Sequence, residues 1–394
     1  MTWQTVPLGE VADLRAGAAF PLAFQGRTAG QYPFAKVGDI GEASRSNGGN
    51  LSTARNYVDE ADLVALRTRP IPALSTLFAK IGESLRLNAR AFNGVPVLID
   101  NNVMAAVPGS DVDPRFLFRF LQQIDLGQIA STTSVPSLRK TDLARWPVRL
   151  PPLPEQRRIA AILDEADALQ STAIKLTTAS ASLAESAFRE LELTLVDEHV
   201  VPLSEIATVG SGITKGRRPR PTGLVEVPYM TVANVQDKRL DLSNVKTIDA
   251  SEAEIQRYRL VTNDLLLTEG GDPDKLGRGV VWRSELPVSI HQNHVFRVRA
   301  IDTSVDMTWL SWEIGSDYGK RYFLRAAKQT TGIATINSSQ LRDFPVRIPS
   351  KPAIATFTQR LDEAEALRMT SARRVDAFAT LFASLQHRAF RGQL

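Results

Sequence analysis

The chain has 394 residues, 43% of them hydrophobic, and carries 47 Lys and Arg against 43 Asp and Glu for a net charge of +4. That length holds two or more domains with real cores, and the small basic excess favours a nucleic-acid partner only weakly. The lack of cysteine excludes a disulfide framework and thiolate metal sites and fits a reducing cytoplasm, while four histidines without partner spacing leave no metal centre to expect. Met1-Thr2-Trp3-Gln4 does not open a secretory leader, and no apolar window of about 18 residues exists to span a membrane, so the expected location is cytoplasmic.

Along the chain, the first informative phrase is Val6-Pro7-Leu8-Gly9-Glu10-Val11-Ala12. It returns as Val201-Pro202-Leu203-Ser204-Glu205-Ile206-Ala207, with Pro7 and Pro202 separated by 195 residues. At the same separation Val37, Asp39 and Ile40 answer to Val232, Asn234 and Val235. Each copy then runs through short β-like stretches broken by Gly, Asn, Asp and Pro, such as Val95-Pro96-Val97-Leu98-Ile99 and Asp264-Leu265-Leu266-Leu267-Thr268. One helix is predicted in each, Pro114 to Ile124 and Met307 to Arg325. The copies close on Trp146-Pro147-Val148-Arg149-Leu150-Pro151 and Phe344-Pro345-Val346-Arg347-Ile348-Pro349. A period near 200 residues is a domain length, since solenoid repeats run at about 20 to 50. The copies match at their ends and differ most over 41–73 and 236–261, as expected of one scaffold used to touch two different targets.

After each copy comes a long stretch of helical character. Pro151-Pro152-Leu153-Pro154 suits a helix start, and Glu155 to Glu190 would be about 54 Å long at about 1.5 Å per residue. Ile159, Ile162, Ala166, Leu169, Ala173, Leu176, Ser180, Leu183 and Ala187 follow a 3-4 alternation, a heptad seam. Phe357, Leu361, Ala364, Leu367, Ser371, Val375, Phe378, Leu381 and Leu385 repeat it less regularly. An antiparallel pair of the two helices buries both seams, with a globular domain at either end of a rod. Ala187-Phe188-Arg189 and Ala389-Phe390-Arg391 recur near the two helix ends. The fold class is α+β: two tandem mixed α/β domains, 1–150 and 199–349, separated by two long antiparallel coiled-coil helices, 151–198 and 350–394.

Several segments suit DNA. Lys215-Gly216-Arg217-Arg218-Pro219-Arg220 is the densest basic run, and its Lys215, Arg217, Arg218 and Arg220 suit phosphate contact; a solvated loop is the plainer reading. Before each long helix lie hydroxyl and amide residues: Thr132, Thr133 and Ser134 with Arg139 and Lys140, and Thr330 and Thr331 with Asn337 and Ser338. Asn pairs bidentately with adenine. Lys36, Lys80, Lys275 and Arg278 are further candidates. No catalytic residue is expected: Gly210-Ser211-Gly212-Ile213-Thr214-Lys215-Gly216 is not a P-loop, no Asn-Pro-Pro-Tyr or Asp-Pro-Pro-Tyr is present, and Glu269-Gly270-Gly271-Asp272-Pro273-Asp274-Lys275 reads as a turn.

Pro151-Pro152-Leu153-Pro154-Glu155-Gln156-Arg157-Arg158-Ile159-Ala160-Ala161-Ile162-Leu163-Asp164 resembles the central helical region of specificity subunits of type I restriction-modification systems, and 381–392 resembles their C-terminal region. The resemblance covers the whole chain and implies a DNA-reading adaptor without catalysis of its own. Each globular domain is then a target-recognition domain for one half of a bipartite double-stranded site, and the helices fix the unread gap. Two modification subunits, carrying S-adenosylmethionine and methylating adenine, would dock on the helices, through Pro154, Glu155, Gln156, Arg157 and Arg158, and a motor-endonuclease subunit would join for restriction. No cofactor is expected on this chain. In the second copy the Pro154-Glu155-Gln156-Arg157 phrase becomes Pro352-Ala353-Ile354-Ala355, so the two docking surfaces differ. The residues themselves leave open a DNA-modifying enzyme with an unrecognised site, or a scaffold that holds proteins rather than DNA.

Overall fold

The computed structural model describes residues 3–46, 48–131, 135–195, 199–216, 223–272, 275–330 and 333–394. The chain divides into two compact units, the first formed by Met1–Thr178 with Leu367–Leu394 and the second by Ala179–Ala366.

In the first unit the two ends of the repeat pair with each other. Gln4–Pro7 and Pro147–Leu150 form an antiparallel ribbon with Val6 opposite Val148. The main sheet has five strands in the order Ala12–Ala16, Val103–Pro108, Thr76–Ala79, Arg90–Asn93 and Asn50–Leu51. Thr76–Ala79 is buried along its whole length, and its alternate residues enter two cores: Phe78 packs with Met104 and Phe116, Leu77 with Ala91 and Ala105. A smaller sheet centres on Tyr32–Ala35, which pairs in parallel with Leu98–Ile99, Ala35 lying opposite Ile99. The second unit repeats the plan. Val200–Pro202 pairs with Pro345–Arg347, and four strands run in the order Ala207–Ser211, Val295–Ala300, Leu265–Thr268, Gly279–Val281. Met230 lies opposite His291 in the parallel pair. Leu265 and Leu267 face one core and Leu266 another.

Two sequence expectations about helices are corrected. The helix predicted from Met307 to Arg325 is two helices, Met307–Gly315 and Asp317–Ala326, divided at Ser316, which adopts an extended conformation and caps the second by accepting from Gly319 N. A helix at Val37–Ser46 adds to the one helix predicted in the first copy; its Gly and Ser content hides it, and the burial of Ile40 and Ala43 holds it in place.

The first long helix is Leu153–Glu192 and the second Lys351–Ala389. Inside the first unit, Ile159 and Leu163 near the start of one pack with Ala389 and Phe390 at the end of the other. The Phe390 ring sits 5.4 Å from Phe116 and 5.6 Å from Phe120. Inside the second unit the roles exchange, Phe188 lying 5.8 Å from Phe357 and 5.5 Å from Trp312. The helices are therefore antiparallel within each unit, and Phe188 and Phe390, repeated in sequence, do the same job. Ala166, Ala173, Ser180 and Ala187 are buried along the first helix, as are Ala364 and Ser371 along the second. Ile162, Leu176, Leu361, Leu367 and Phe378 are half-buried. Leu169, Leu183 and Leu381 depart from the predicted seam at 43%, 54% and 42% exposed. The small residues define a narrow line of contact, and leucines beside it fall outside.

Candidate nucleic-acid interface

The strand ends define the same edge in both units. In the first, Lys36 follows Tyr32–Ala35 and Lys80 follows Thr76–Ala79. Lys36 is half-buried, its Nζ donating to Gln25 Oε1 at 2.7 Å and standing 5.1 Å from the Phe20 ring. Lys80 N donates to Asn102 O, and Lys80 O accepts from Leu138 N at 2.8 Å. Ile81 bridges Ser137, and Ser131 N donates to Ser137 O, so the ends of the loop that includes Thr132, Thr133 and Ser134 are pinned beside Lys80. Those three lie outside the described residues.

In the second unit the same backbone pattern recurs with other side chains. Glu269 stands where Lys80 stands: its N donates to His294 O at 3.0 Å and its O accepts from Ile336 N at 2.9 Å. The segment before the second long helix forms a hairpin, Lys328–Thr330 against Ile333–Thr335, and Gly270–Gly271 pairs with it. The sequence reads Gly270–Gly271 as turn; it is a short strand because a Cβ at Gly270 would come within 2.6 Å of Ala334 O, which closes the backbones together. Lys215 is exposed just beyond Ile213, whose N donates to His291 O at 2.8 Å. Lys275 and Arg278 occupy the connection to Gly279–Val281. Thr330 belongs to the hairpin; Thr331, Arg217, Arg218 and Arg220 lie outside the described residues.

Four predicted residues stand just beyond these edges with their polar groups already engaged or in a helix start. Arg139 and Lys140 begin a short helix, and Lys140 Nζ lies 3.9 Å from Asp13, well down its strand. Asn337 Oδ1 accepts from Gln340 N at 2.9 Å while Gln340 Oε1 accepts from Asn337 N. This capping box uses the acceptor that a bidentate contact with adenine needs, and Ser338 opens the helix it caps. The sequence gives no sign of Glu269 and His294 as partners, yet Glu269 Oε2 and His294 Nδ1 are 2.6 Å apart at the edge. The offset between copies falls from 195 between Ala35 and Met230 to 192 between Asn102 and His294, which hides their equivalence.

The edge is held rigidly. A Cβ at Gly17 would sit 2.0 Å from Asp100 O, and one at Gly212 would sit 2.0 Å from His291 O, so a glycine is required at the same turn of both copies. Asp39 accepts from Lys36 N at 2.8 Å and Arg55 N at 3.2 Å, whereas Asn234 accepts from Thr231 N and donates to Asp241 O and Asn244 O. Exchanging a carboxylate for an amide reverses the polarity of the group that each copy's variable loop must offer. Burial pushes the Asp100 carboxyl up and the His291 imidazole down to about 4.

The docking phrase is rearranged too. Gln156 is 1% exposed. Its Oε1 accepts from Asp113 N at 2.7 Å, and its Nε2 donates to Asp111 O and Pro151 O at 3.0 and 2.8 Å. It is occupied inside the unit, whereas Pro154, Arg157 and Arg158 are exposed and Glu155, half-buried, pairs with Arg158 at 2.8 Å. Arg119, 3% exposed at its side chain, bridges the first long helix to its domain through Asp164 and Asp167 at 2.7 and 2.9 Å. Among the described residues no three or more His, Asp or Glu side chains are grouped to hold a metal, and no helix is long and apolar enough to cross a membrane.

Residues 1–179 match the family described as type I restriction modification DNA specificity domain. The specificity subunit of the type I restriction enzyme StySPI from Salmonella potsdam is 22% identical over 174 residues, which are 43% of this chain and 38% of that protein. The match thus spans less than two fifths of the curated relative's length. The crystal structure of a type I restriction-modification S subunit from M. genitalium superposes with a TM-score of 0.57 at 12% identity, covering 99% of this chain and 96% of that one. A chain from a structure of assembly and conformational transition in the type I system gives 0.59 at 15% identity, covering 100% and 98%.

Proposed function

We propose that this chain, related in sequence and fold to the specificity subunits of type I restriction-modification systems, is a non-catalytic DNA reader. Each unit takes one half of a bipartite site at its strand-end edge, and the long helices set the gap between the halves. The observation that carries this reading is the repetition of one rigid edge with different side chains: Lys80 and Asn102 in one unit stand where Glu269 and His294 stand in the other. Identical scaffolds with unlike hydrogen-bonding groups read unlike half-sites, because bases are told apart by donors and acceptors in the groove.

Chemistry then belongs to partners, namely two modification subunits that bring S-adenosylmethionine to adenine and a motor-endonuclease subunit for restriction. Exposed Leu169, Ile174 and Leu381, with Pro154, Arg157 and Arg158, offer them apolar and basic side chains on the helices of the first unit. The test is a methylome: the chain is expressed with an adenine modification subunit of this family, and methylated adenines are mapped with and without it. A split motif present only with the chain is the expected result. Methylation independent of the chain counts against the reading.

A further inference from the structure

The second unit contains a cleft of about 330 Å³ lined by Arg239, Lys275, Arg278 and Lys320 beside Asp237 and Gly315. It flanks the edge, since Lys275 and Arg278 lie on the connection that leaves Glu269. Lys238 stands behind it in a left-handed conformation with φ of 56°. Its Nζ donates to Ser311 O at 2.7 Å and lies 5.5 Å from the Trp312 ring, and burial pushes it down to about 8.

Among the described residues lining this cleft the cations outnumber the carboxylates. Asp237 lies 3.6 Å from Lys238, and Asp272 pairs with Lys275. Among the described residues no carboxylate approaches Arg239, Arg278 or Lys320 to within 4 Å, and Arg278 Nε is buried without a hydrogen-bond partner. Arg239 feels Asp241 and Arg278 feels Asp272 only at a distance, so the cations around the cleft repel one another and favour the entry of an anion. A cleft of the first unit has a different character: Asp39 and Glu42 line it with Arg55, whose guanidinium pairs with Glu42 at 2.9 Å.

We infer that this cleft grips one backbone phosphate of DNA held at the edge of the second unit, with Arg239, Arg278 and Lys320 as its donors. The inference rests on the DNA-reading function proposed above. Two guanidiniums suit a tetrahedral anion because their paired N–H groups fork onto its oxygens. Such a contact positions the duplex without reading sequence.

The full-length chain and its double variant Arg239→Ala/Lys320→Ala are titrated with duplexes that carry or lack the motif, over a range of salt. Loss of one phosphate contact lowers the slope of log affinity against log salt by about 0.9, so the ratio of unaltered to variant affinity falls about 3.5-fold between about 50 and about 200 mM salt, equally on both duplexes. Arg239→Ala alone, at an exposed side chain, shows the same trend at smaller size and guards against misfolding of the double variant. An unchanged slope in both variants overturns the inference, as does a loss confined to the duplex with the motif. Failure of the unaltered chain to bind any duplex overturns instead the DNA-reading function beneath it.

Discussion

Replacing Gln156 by Ala separates a structural role from a docking role. Its amide joins three backbone groups, Asp113 N, Asp111 O and Pro151 O, at 2.7 to 3.0 Å, and the side chain is 1% exposed. Asp113 in turn caps the helix Pro114–Gln123 by accepting from Arg115 N and Phe116 N, both at 3.0 Å. Each buried group left unpaired costs about 1–3 kcal/mol. Water reaching the cavity recovers part of this, so Gln156→Ala is expected to lose about 3 kcal/mol. For a domain of roughly 200 residues that lowers the melting temperature by about 6–12 °C. The assay is thermal unfolding of the chain alone, beside Arg157→Ala, whose exposed side chain predicts a change within about 0.5 kcal/mol. Gln156→Ala that melts with the unaltered chain, yet fails to recruit a modification subunit, would contradict this structural role and return Gln156 to the docking surface.

Two further outcomes follow from the packing. His291 is buried opposite Met230, where the first unit has Ile99 opposite Ala35, and its imidazole is pushed down to about 4. The unfolded chain binds that proton near pH 6.5 and the folded chain only near pH 4, so stability is full above about 6.5 and falls as pH drops towards 4, by about 3 kcal/mol in all. His291→Ile flattens this fall in denaturant titrations at pH 7 and pH 4.5; an unchanged difference between the two pH values contradicts it. Gly17→Ala and Gly212→Ala each force a Cβ against a carbonyl oxygen 2.0 Å away. Each should cost about 1–3 kcal/mol or more in chemical denaturation, and unchanged midpoints would contradict the close approach.

The repeat was the most legible part of the sequence because its matching phrases pair with each other. Val6 meets Val148 and Val201 meets Val346, so both ends of each copy are held to one ribbon. Legible too were the long helices and the recurrence of Phe188 as Phe390, though not the ring packing that both make. The seam was read only in part, since heptad spacing does not reveal which flank the small residues leave open, and Leu169 and Leu183 stayed outside. The edge was the least legible. Strands from separate parts of each copy form it, and Asn102 and Glu269 meet Lys80 and His294 at the ends of antiparallel strand pairs, across 22 and 25 residues, which local patterns do not encode. Asn337 and Gln156 illustrate a related difficulty: an amide suited to a ligand is equally suited to a cap or a buried turn, and residue type alone does not choose between them.

If the chain reads DNA as proposed, the helices act as the spacer between two independent readings. The most direct test of this spacer role removes one heptad from each long helix and maps the methylated motif. Seven residues shorten a helix by about 10 Å, close to three base pairs at about 3.4 Å each. The expected result is a motif with both outer halves unchanged and a gap shorter by about three base pairs. Changed bases in either half, or an unchanged gap, would contradict it.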